Sequence, residues 1–370
     1  MRIFLTLISG ASQGTGDQMW KDIFYETLTK LGHDVIFLPY DKLFSSKSDI
    51  DINKVSEKIY DHFLFHHKQK PFNLFLSYYH SGHVSPELFA KINEHTFSVN
   101  YTTNFHQINA YEPLLKEANL SIYASKEAES YFNENAANSY YMPFAGLSSN
   151  LNFKKKKNGK MTFIGSSYGN RANYLWRCLQ KKLPLDIYGP NWINNHGIRS
   201  FLRTIKLEYQ LIINDKSIVD TAYRCLNDSI LREITKSYPN IINGPLSDSD
   251  YALLLSKSSI VLNIPESRFE HDYTNPNMLI GANLRDFEVP TTGSFLLTQS
   301  NEEIKSLFED KKEIETFNNE WEMVDKARFY LNNPNKLIKI AEAGHKRVKK
   351  EHLWEHRFSK FLKFLEQNYL

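Results

Sequence analysis

Residues 150–167 read NLNFKKKKNGKMTFIGSS, and the organisation of the whole chain turns on them. The stretch opens polar, with four consecutive lysines at Lys154 to Lys157, and reads as a solvated connection. The same lysine run would also suit an anionic lipid or acceptor surface. Then the apolar Met161 to Ile164 runs into Gly165, Ser166 and Ser167, the pattern of a buried strand ending in a tight turn. A strand and helix alternation that pauses and restarts here predicts two α/β domains rather than one.

Upstream, apolar runs recur at Arg2 to Ser9, Asp34 to Tyr40, Phe72 to Tyr79, Thr96 to Thr103, Leu120 to Ser125 and Ser139 to Phe144, with helical patterns in every gap. The first helix shows Trp20, Ile23, Phe24, Leu28 and Leu31 on one stripe, with Asp17 before it and Gly32 after it. Strand, helix, strand at this pitch means parallel pairing, so the first half reads as a doubly wound α/β domain. Downstream, LDIYGP, IINGPL, IVLNIP, SFLLTQ and EIETFN supply further strands, with helices from Asn170, Asp248, Leu284 and Glu302. Residues 191–240 form a mainly helical insertion, too long for an ordinary strand-to-helix connection. Gly344 marks a break before a closing amphipathic segment with Trp354, Phe358, Phe361, Phe364 and Leu365. The expected division is a domain over 1–148, a linker over 149–160, a second domain over 161–350 and a closing helix over 351–370.

Composition removes several function classes. The 370 residues carry 45 Lys and Arg against 42 Asp and Glu, a net charge of +3, too little for phosphate-backbone binding to be the main activity. No nucleic-acid partner is expected. The run Ile3 to Ile8 is read as a first strand rather than a signal peptide, and no segment approaches the length of a bilayer span. Two cysteines, Cys178 and Cys225, suit a reducing compartment. A cytoplasmic protein follows, with peripheral contact at the inner membrane face left open.

Three motifs carry chemistry. ISGASQGTG places Gly10, Gly14 and Gly16 between the first strand and helix, a turn that permits close backbone approach to an anion. The spacing resembles the nucleotide loop of short-chain dehydrogenases, although the Tyr-x-x-x-Lys pair those enzymes use is missing from the chain. A tight turn at the binding edge is the plainer reading. His352-Leu-Trp-Glu-His356 has the form of a zinc peptidase pattern, but its apolar neighbours at helical spacing favour packing and capping. FIGSSYGNR sets Gly165, Ser166 and Ser167 at a strand end and Arg171 near a helix start, an arrangement suited to a diphosphate.

With Tyr188-Gly-Pro-Asn-Trp192, Asn243-Gly-Pro, the run Asn283-Leu-Arg285-Asp-Phe-Glu288-Val-Pro-Thr-Thr-Gly293, and then AEAGHKRV and EHLWEHRF, the second half resembles the CgeB-like glycosyltransferases. That bacterial family takes its name from a spore maturation protein, and the likeness covers nearly all of 161–360. It implies a GT-B fold: two Rossmann-like doubly wound domains facing a cleft, with a C-terminal helix crossing back to the N-terminal domain. The C-terminal domain then holds the donor, a UDP-, GDP- or dTDP-linked sugar, and the N-terminal domain the acceptor, a glycan, lipid-linked glycan or protein. The implied reaction is metal-independent glycosyl transfer with retention.

The resemblance assigns Glu288 to the nucleotide ribose, a task suited to an acceptor-only carboxylate, with an ordinary helix-surface acid as the alternative. Asn283 is read as a helix N-cap, and Arg171 and Arg285 as cations on the departing diphosphate, or for Arg285 as an ion-pair residue. Gly165, Ser166, Ser167, Tyr188, Asn243 and Gly293 complete the expected donor site. The wider superfamily sets a second glutamate eight positions before Glu288, where this chain has Ile280. Asp248-Ser-Asp250 has the form of a metal motif, but its place at a helix start suits capping. On the N-terminal side, strand ends nominate Gly14, Gly16, His80, His83, Asn104 and above all His106 as catalytic or cofactor-binding. Two rivals stay open: a NAD(P)-dependent oxidoreductase built on the Gly10 to Gly16 loop, and a non-catalytic protein that binds a sugar nucleotide.

Overall fold

A computed structural model of the chain describes residues 1–8, 17–43, 51–103, 108–167, 170–192, 229–265 and 281–370. The chain divides into two compact units, Met1–Ser149 with Val348–Leu370, and Asn150–Arg347. Each is built on one six-stranded, wholly parallel sheet.

In the first unit the strands are β1 (Arg2–Leu7), β2 (Asp34–Pro39), β3 (Leu74–Tyr78), β4 (Phe97–Thr102), β5 (Leu120–Tyr123) and β6 (Ser139–Tyr141). Their spatial order is β2-β1-β3-β4-β5-β6, so the winding reverses between β1 and β3. Strand β3 is buried at all five positions, whereas every residue of edge strand β6 is half-exposed. A near-continuous apolar run is what two covered faces require of a central strand. The first helical segment, 17–30, carries a π-helical turn at Asp22–Glu26, and Gly32 takes φ +86° just past its end.

The last helix, Trp354–Asn368, belongs to this first unit. Trp354, Phe358, Phe361 and Leu365 are buried, and Phe358 meets Phe24 edge-on at 5.2 Å while Tyr140 faces Phe361 and Phe364 at 5.1 and 4.7 Å. Arg357 donates to the carbonyls of Pro143 and Phe144 at 3.2 and 3.4 Å. His356 Nδ1 accepts the Leu353 amide at 3.1 Å and caps the helix, while His352 is buried with its Nδ1 3.0 Å from Arg357. The break expected at Gly344 lies instead at His352 and Leu353, because the helix Pro334–Glu351 runs unbroken through the glycine. A side chain at 344 would overlap the Glu313 carbonyl oxygen, so packing rather than termination selects glycine there.

In the second unit the strands are β7 (Met161–Ile164), β8 (Leu185–Tyr188), β9 (Ile242–Asn243), β10 (Ile260–Asn263), β11 (Phe295–Gln299) and β12 (Glu315–Phe317). The order β12-β11-β10-β7-β8-β9 is the dinucleotide-fold order read in chain sequence, with its switch point between β7 and β10. Of the insertion at 191–240, residues 229–237 are helical, and Leu231 and Ile234 are buried in the unit's core. No helix among the described residues is long and apolar enough to cross a membrane.

The lysine run differs from the solvated linker expected of it. Lys154, Lys155 and Lys156 are exposed, but Lys157 turns inward and donates to Gly293 O at 2.7 Å, Ser256 O at 2.8 Å and Ser294 Oγ at 3.1 Å. Three inward acceptors at the N-terminal ends of β10 and β11 outcompete water for one ammonium in four. Burial, with help from Lys154, lowers its pKa to about 8 from 10.5. A base whose folded pKa is depressed binds fewer protons folded than unfolded, so stability rises with pH across that window. Urea titrations of the wild type and Lys157→Met are expected to diverge in the wild type's favour between pH 8 and 10.5. Parallel curves would rule out the burial of a charged ammonium.

Candidate functional site

The β7 to β10 switch point brings together most of the residues expected to hold a donor. After β7 the chain turns at Gly165, whose amide donates to Tyr188 O at 2.8 Å and whose carbonyl accepts Trp192 Nε1 at 2.6 Å. Gly189 approaches this carbonyl so closely, at φ +130°, that any side chain would overlap it. Asn243 secures the same corner through its side-chain amide, 3.1 Å from Ile241 O and 3.3 Å from Ile187 O. Tyr188 and Asn243 therefore shape the turn with backbone carbonyls and an amide. The Ser167 hydroxyl reaches Asn191 O at 2.7 Å, while the backbone amides of Ser166 and Ser167 donate to no described residue. Backbone amides at a strand's carboxyl end are chemically suited to an anion.

Both predicted arginines lie at this switch point, and both brace it. Arg171 is buried and spans the crevice, with Nε 3.0 Å from Ile264 O beyond β10 and Nη1 3.1 Å from Ser166 O beyond β7. Arg285, half-buried, donates through Nη1 to Ile164 O and through Nε to the Tyr251 hydroxyl at 3.2 Å. Burial alone would lower the Arg285 pKa, but Tyr251 and Glu288 outweigh it and hold the guanidinium charged.

Arg285 and Glu288 project from the helix Leu284–Thr291, whose start is a capping box. Asn283 Oδ1 accepts the Arg285 amide at 2.9 Å, and Asp286 Oδ2 accepts the Asn283 amide at 2.9 Å. Asp286 is fully buried, and its Oδ1 also accepts from Asn263 Nδ2 at 2.6 Å and Thr298 Oγ1 at 2.7 Å. One carboxylate thereby ties the ends of β10 and β11 to the helix start. Burial raises its pKa to about 6, against the three donors that favour its charge. Glu288 sits one turn along, with Oε2 accepting from the Tyr251 hydroxyl and Oε1 from no described residue. Burial raises its pKa, opposed by Arg285 and the Tyr251 bond. Tyr251 comes from the helix Asp248–Lys257, whose Ser247 cap accepts the Asp250 amide at 3.2 Å, so the two aspartates of the metal-like motif occupy a capped first turn.

Gly293 is not part of this assembly. The helix Leu284–Thr291 starts at the carboxyl ends of the strands and runs back to their amino ends, about 12 Å away at 1.5 Å per residue. There Gly293 takes φ +70° against Phe153, beside Lys157, and serves the turn into β11. Gly14, Gly16, Asn104, His106 and Ile280 lie outside the described residues. At the first unit's switch point the His80 and His83 rings lie with centroids 3.6 Å apart, tilted at 52°, and burial lowers the pKa of both, His83 to about 4. Buried Cys178 has its thiol pushed up to about 12 by desolvation, so it is packing material. Among the described residues no three of His, Cys, Asp and Glu are placed to hold a metal ion.

Sequence reasoning missed Tyr251, Asn263 and Asp286. A lone polar residue closing the apolar strand IVLN is a legible signal for Asn263, since a buried amide needs partners. Asp286 was legible as the fourth residue of a capping box, whereas nothing local distinguishes Tyr251 from a core aromatic.

Two doubly wound parallel sheets in one chain, the second with a polar crevice at its switch point, define a protein of the GT-B type. Solved structures share that architecture across their length. Sucrose-phosphate synthase from Thermosynechococcus elongatus superposes with a TM-score of 0.63 at 9% identity, covering 99% of this chain and 98% of that one. HepE of Anabaena, solved with UDP and glucose, gives 0.60 at 11% identity over 98% and 99% of the two chains. AviGT4, a glycosyltransferase involved in avilamycin A biosynthesis, gives 0.58 at 14% identity over 100% and 98%. No curated protein matches the chain. The chain belongs to the glycosyl transferase-like family, whose sequence model matches residues 171–363, and is a GT-B glycosyltransferase.

Proposed function

We propose that the chain moves a sugar from a nucleoside diphosphate sugar to a glycan, lipid-linked glycan or protein acceptor, retaining the anomeric configuration and needing no metal. Within its family we assign it to the CgeB-like branch, on the motifs from Gly165 to Gly293. The observation that carries the reading is the occurrence, at one switch point, of the Ser166 and Ser167 amides and of Glu288 Oε1, none of them bonded to a described residue. Amides at a strand end suit a diphosphate, and a carboxylate oxygen that accepts from no described residue suits the hydroxyls of a ribose. That HepE was solved with UDP-glucose supports a nucleotide sugar as donor. Arg171 and Arg285 act by fixing the loop and the helix start around the leaving group, adding positive potential without a freely swinging side chain.

The experiment is a thermal-shift screen against UDP, GDP, dTDP, CDP and NAD(P)H. A ligand at 100 times its dissociation constant adds about 2.7 kcal/mol and raises the melting temperature visibly. One nucleoside diphosphate is expected to stabilise the wild type, and Glu288→Ala is expected to remove most of that shift. Transfer from the matching sugar nucleotide is expected to survive EDTA. Stabilisation by NAD(P)H alone would overturn the reading in favour of the Gly10 to Gly16 loop, and donor binding with no transfer or hydrolysis would leave a binding protein.

A further inference from the structure

We infer that Tyr251 is the positioning residue of the donor site, its hydroxyl orienting Glu288 so that one carboxylate oxygen is presented to the nucleotide ribose. The inference rests on the ribose role proposed for Glu288. The Tyr251 hydroxyl is the hub of the site: it accepts from Arg285 Nε at 3.2 Å and donates to Glu288 Oε2. Arg285 is pinned at its other end to the carbonyl of Ile164, the last residue of β7. A continuous polar chain thus runs from the strand end that precedes the Gly165 turn, through Arg285 and Tyr251, to Glu288.

A glutamate on a helix surface has three rotatable bonds, and an ordered carboxylate needs partners that select one rotamer. Arg285 shares the helix of Glu288 and attracts it through charge, but attraction does not choose between the two oxygens. The Tyr251 bond does, by taking Oε2 and leaving Oε1. The guanidinium carbon of Arg285 also lies 5.5 Å from the Tyr251 ring centroid, so the ring itself helps seat the cation. Ribose presents vicinal hydroxyls, and a carboxylate held at Oε2 by Tyr251, with Oε1 accepting from no described residue, offers them a fixed acceptor edge.

Tyr251→Phe keeps the ring and its packing and removes the hydroxyl alone. The measurement is calorimetric affinity for whichever of UDP, GDP, dTDP and CDP stabilises the wild type. It is made on wild type, Tyr251→Phe, Glu288→Ala and the double variant, with donor KM and kcat taken in parallel. Loss of a hydrogen bond to a charged group is expected to weaken binding roughly tenfold in Tyr251→Phe, with KM rising and kcat changing less than about threefold. In the Glu288→Ala background the same substitution is expected to add nothing, because its effect passes through Glu288.

A pH profile supplies a second readout. Burial raises the Glu288 pKa and nearby Asp248 adds to the rise, while Arg285 on its own helix and Tyr251 on the facing one oppose it. Removing the hydroxyl shifts the acid limb of donor affinity to higher pH, which a loss of packing would not do. Wild-type affinity in Tyr251→Phe, or equal weakening in both backgrounds, overturns the inference while the role of Glu288 stands. Wild-type affinity in Glu288→Ala, or binding of none of the four diphosphates, overturns the underlying reading and this inference with it.

Discussion

Trp354→Ala is expected to cost about 3–5 kcal/mol, the range for deleting a large aromatic from a packed core. The indole is fully buried, tilted at 5.9 Å from Phe358, and it faces Phe24 at 6.5 Å and Tyr101 at 6.4 Å. Its backbone is stitched to the chain just before the unit boundary: Gly146 N donates to His352 O at 2.9 Å, and Trp354 N to Gly146 O at 3.1 Å. Removing the ring leaves those bonds in place and opens a cavity among aromatics that relax poorly. Trp354→Phe is expected to cost much less than its volume loss suggests, because Nε1 has no partner among the described residues and its removal relieves a buried donor. Urea unfolding followed by far-UV circular dichroism measures both, and equal costs would show that the orphan donor is not destabilising.

The second large effect is at Asp286. Asp286→Leu preserves size but removes the acceptor of the buried Thr298 hydroxyl and of the half-buried Asn283 backbone amide, and leaves the Asn263 amide only Asn283 Oδ1 at 3.1 Å and Thr298 Oγ1 at 3.3 Å. At about 1–3 kcal/mol for each buried group left unpaired, partly recovered by relaxation, the expected loss is about 3–5 kcal/mol. Asp286→Asn retains one oxygen and is expected to lose less, since only its amide nitrogen would face a donor. The pH dependence has a definite sign. The folded pKa of about 6 exceeds the unfolded value of 3.8, so this carboxyl's contribution is full below 3.8 and declines as pH rises through 6. The stability gap between wild type and Asp286→Leu is accordingly expected to narrow between these two values. Because the helix start also frames Arg285, the variant should lose nucleotide stabilisation as well. Retention of full nucleotide affinity would detach this network from the site.

The two-sheet architecture was legible because parallel strands buried on both faces must be apolar throughout, and runs such as Leu74–Tyr78 and Met161–Ile164 stand out against any polar background. Part of the site was legible for a related reason. Turns at strand ends need glycine where the backbone is crowded, and helix starts need short acceptors, so Gly165 and Asn283 announce themselves locally. Gly293 and Gly344 mislead by the same logic: a glycine reports crowding or a positive φ, but not which neighbour causes it.

The order of strands and helices, the two doubly wound domains, the N-cap at Asn283 and the apolar stripe of the final helix are all written locally in the chain. These follow from periodicity, turn chemistry and capping, all of which act within about ten residues along the chain. It took the packed fold to withdraw Lys157 from its run, to bind Arg171 to backbone carbonyls and Arg285 to a carbonyl and the Tyr251 hydroxyl, and to set Tyr251 between Arg285 and Glu288. Apart from the Arg171 bond to Ser166 O, 5 positions back, those outcomes depend on partners 34 to 136 positions away. A hydrogen bond is specified by the direction and distance of its acceptor, and for groups so remote in sequence only packing of the sheet and its helices fixes either one.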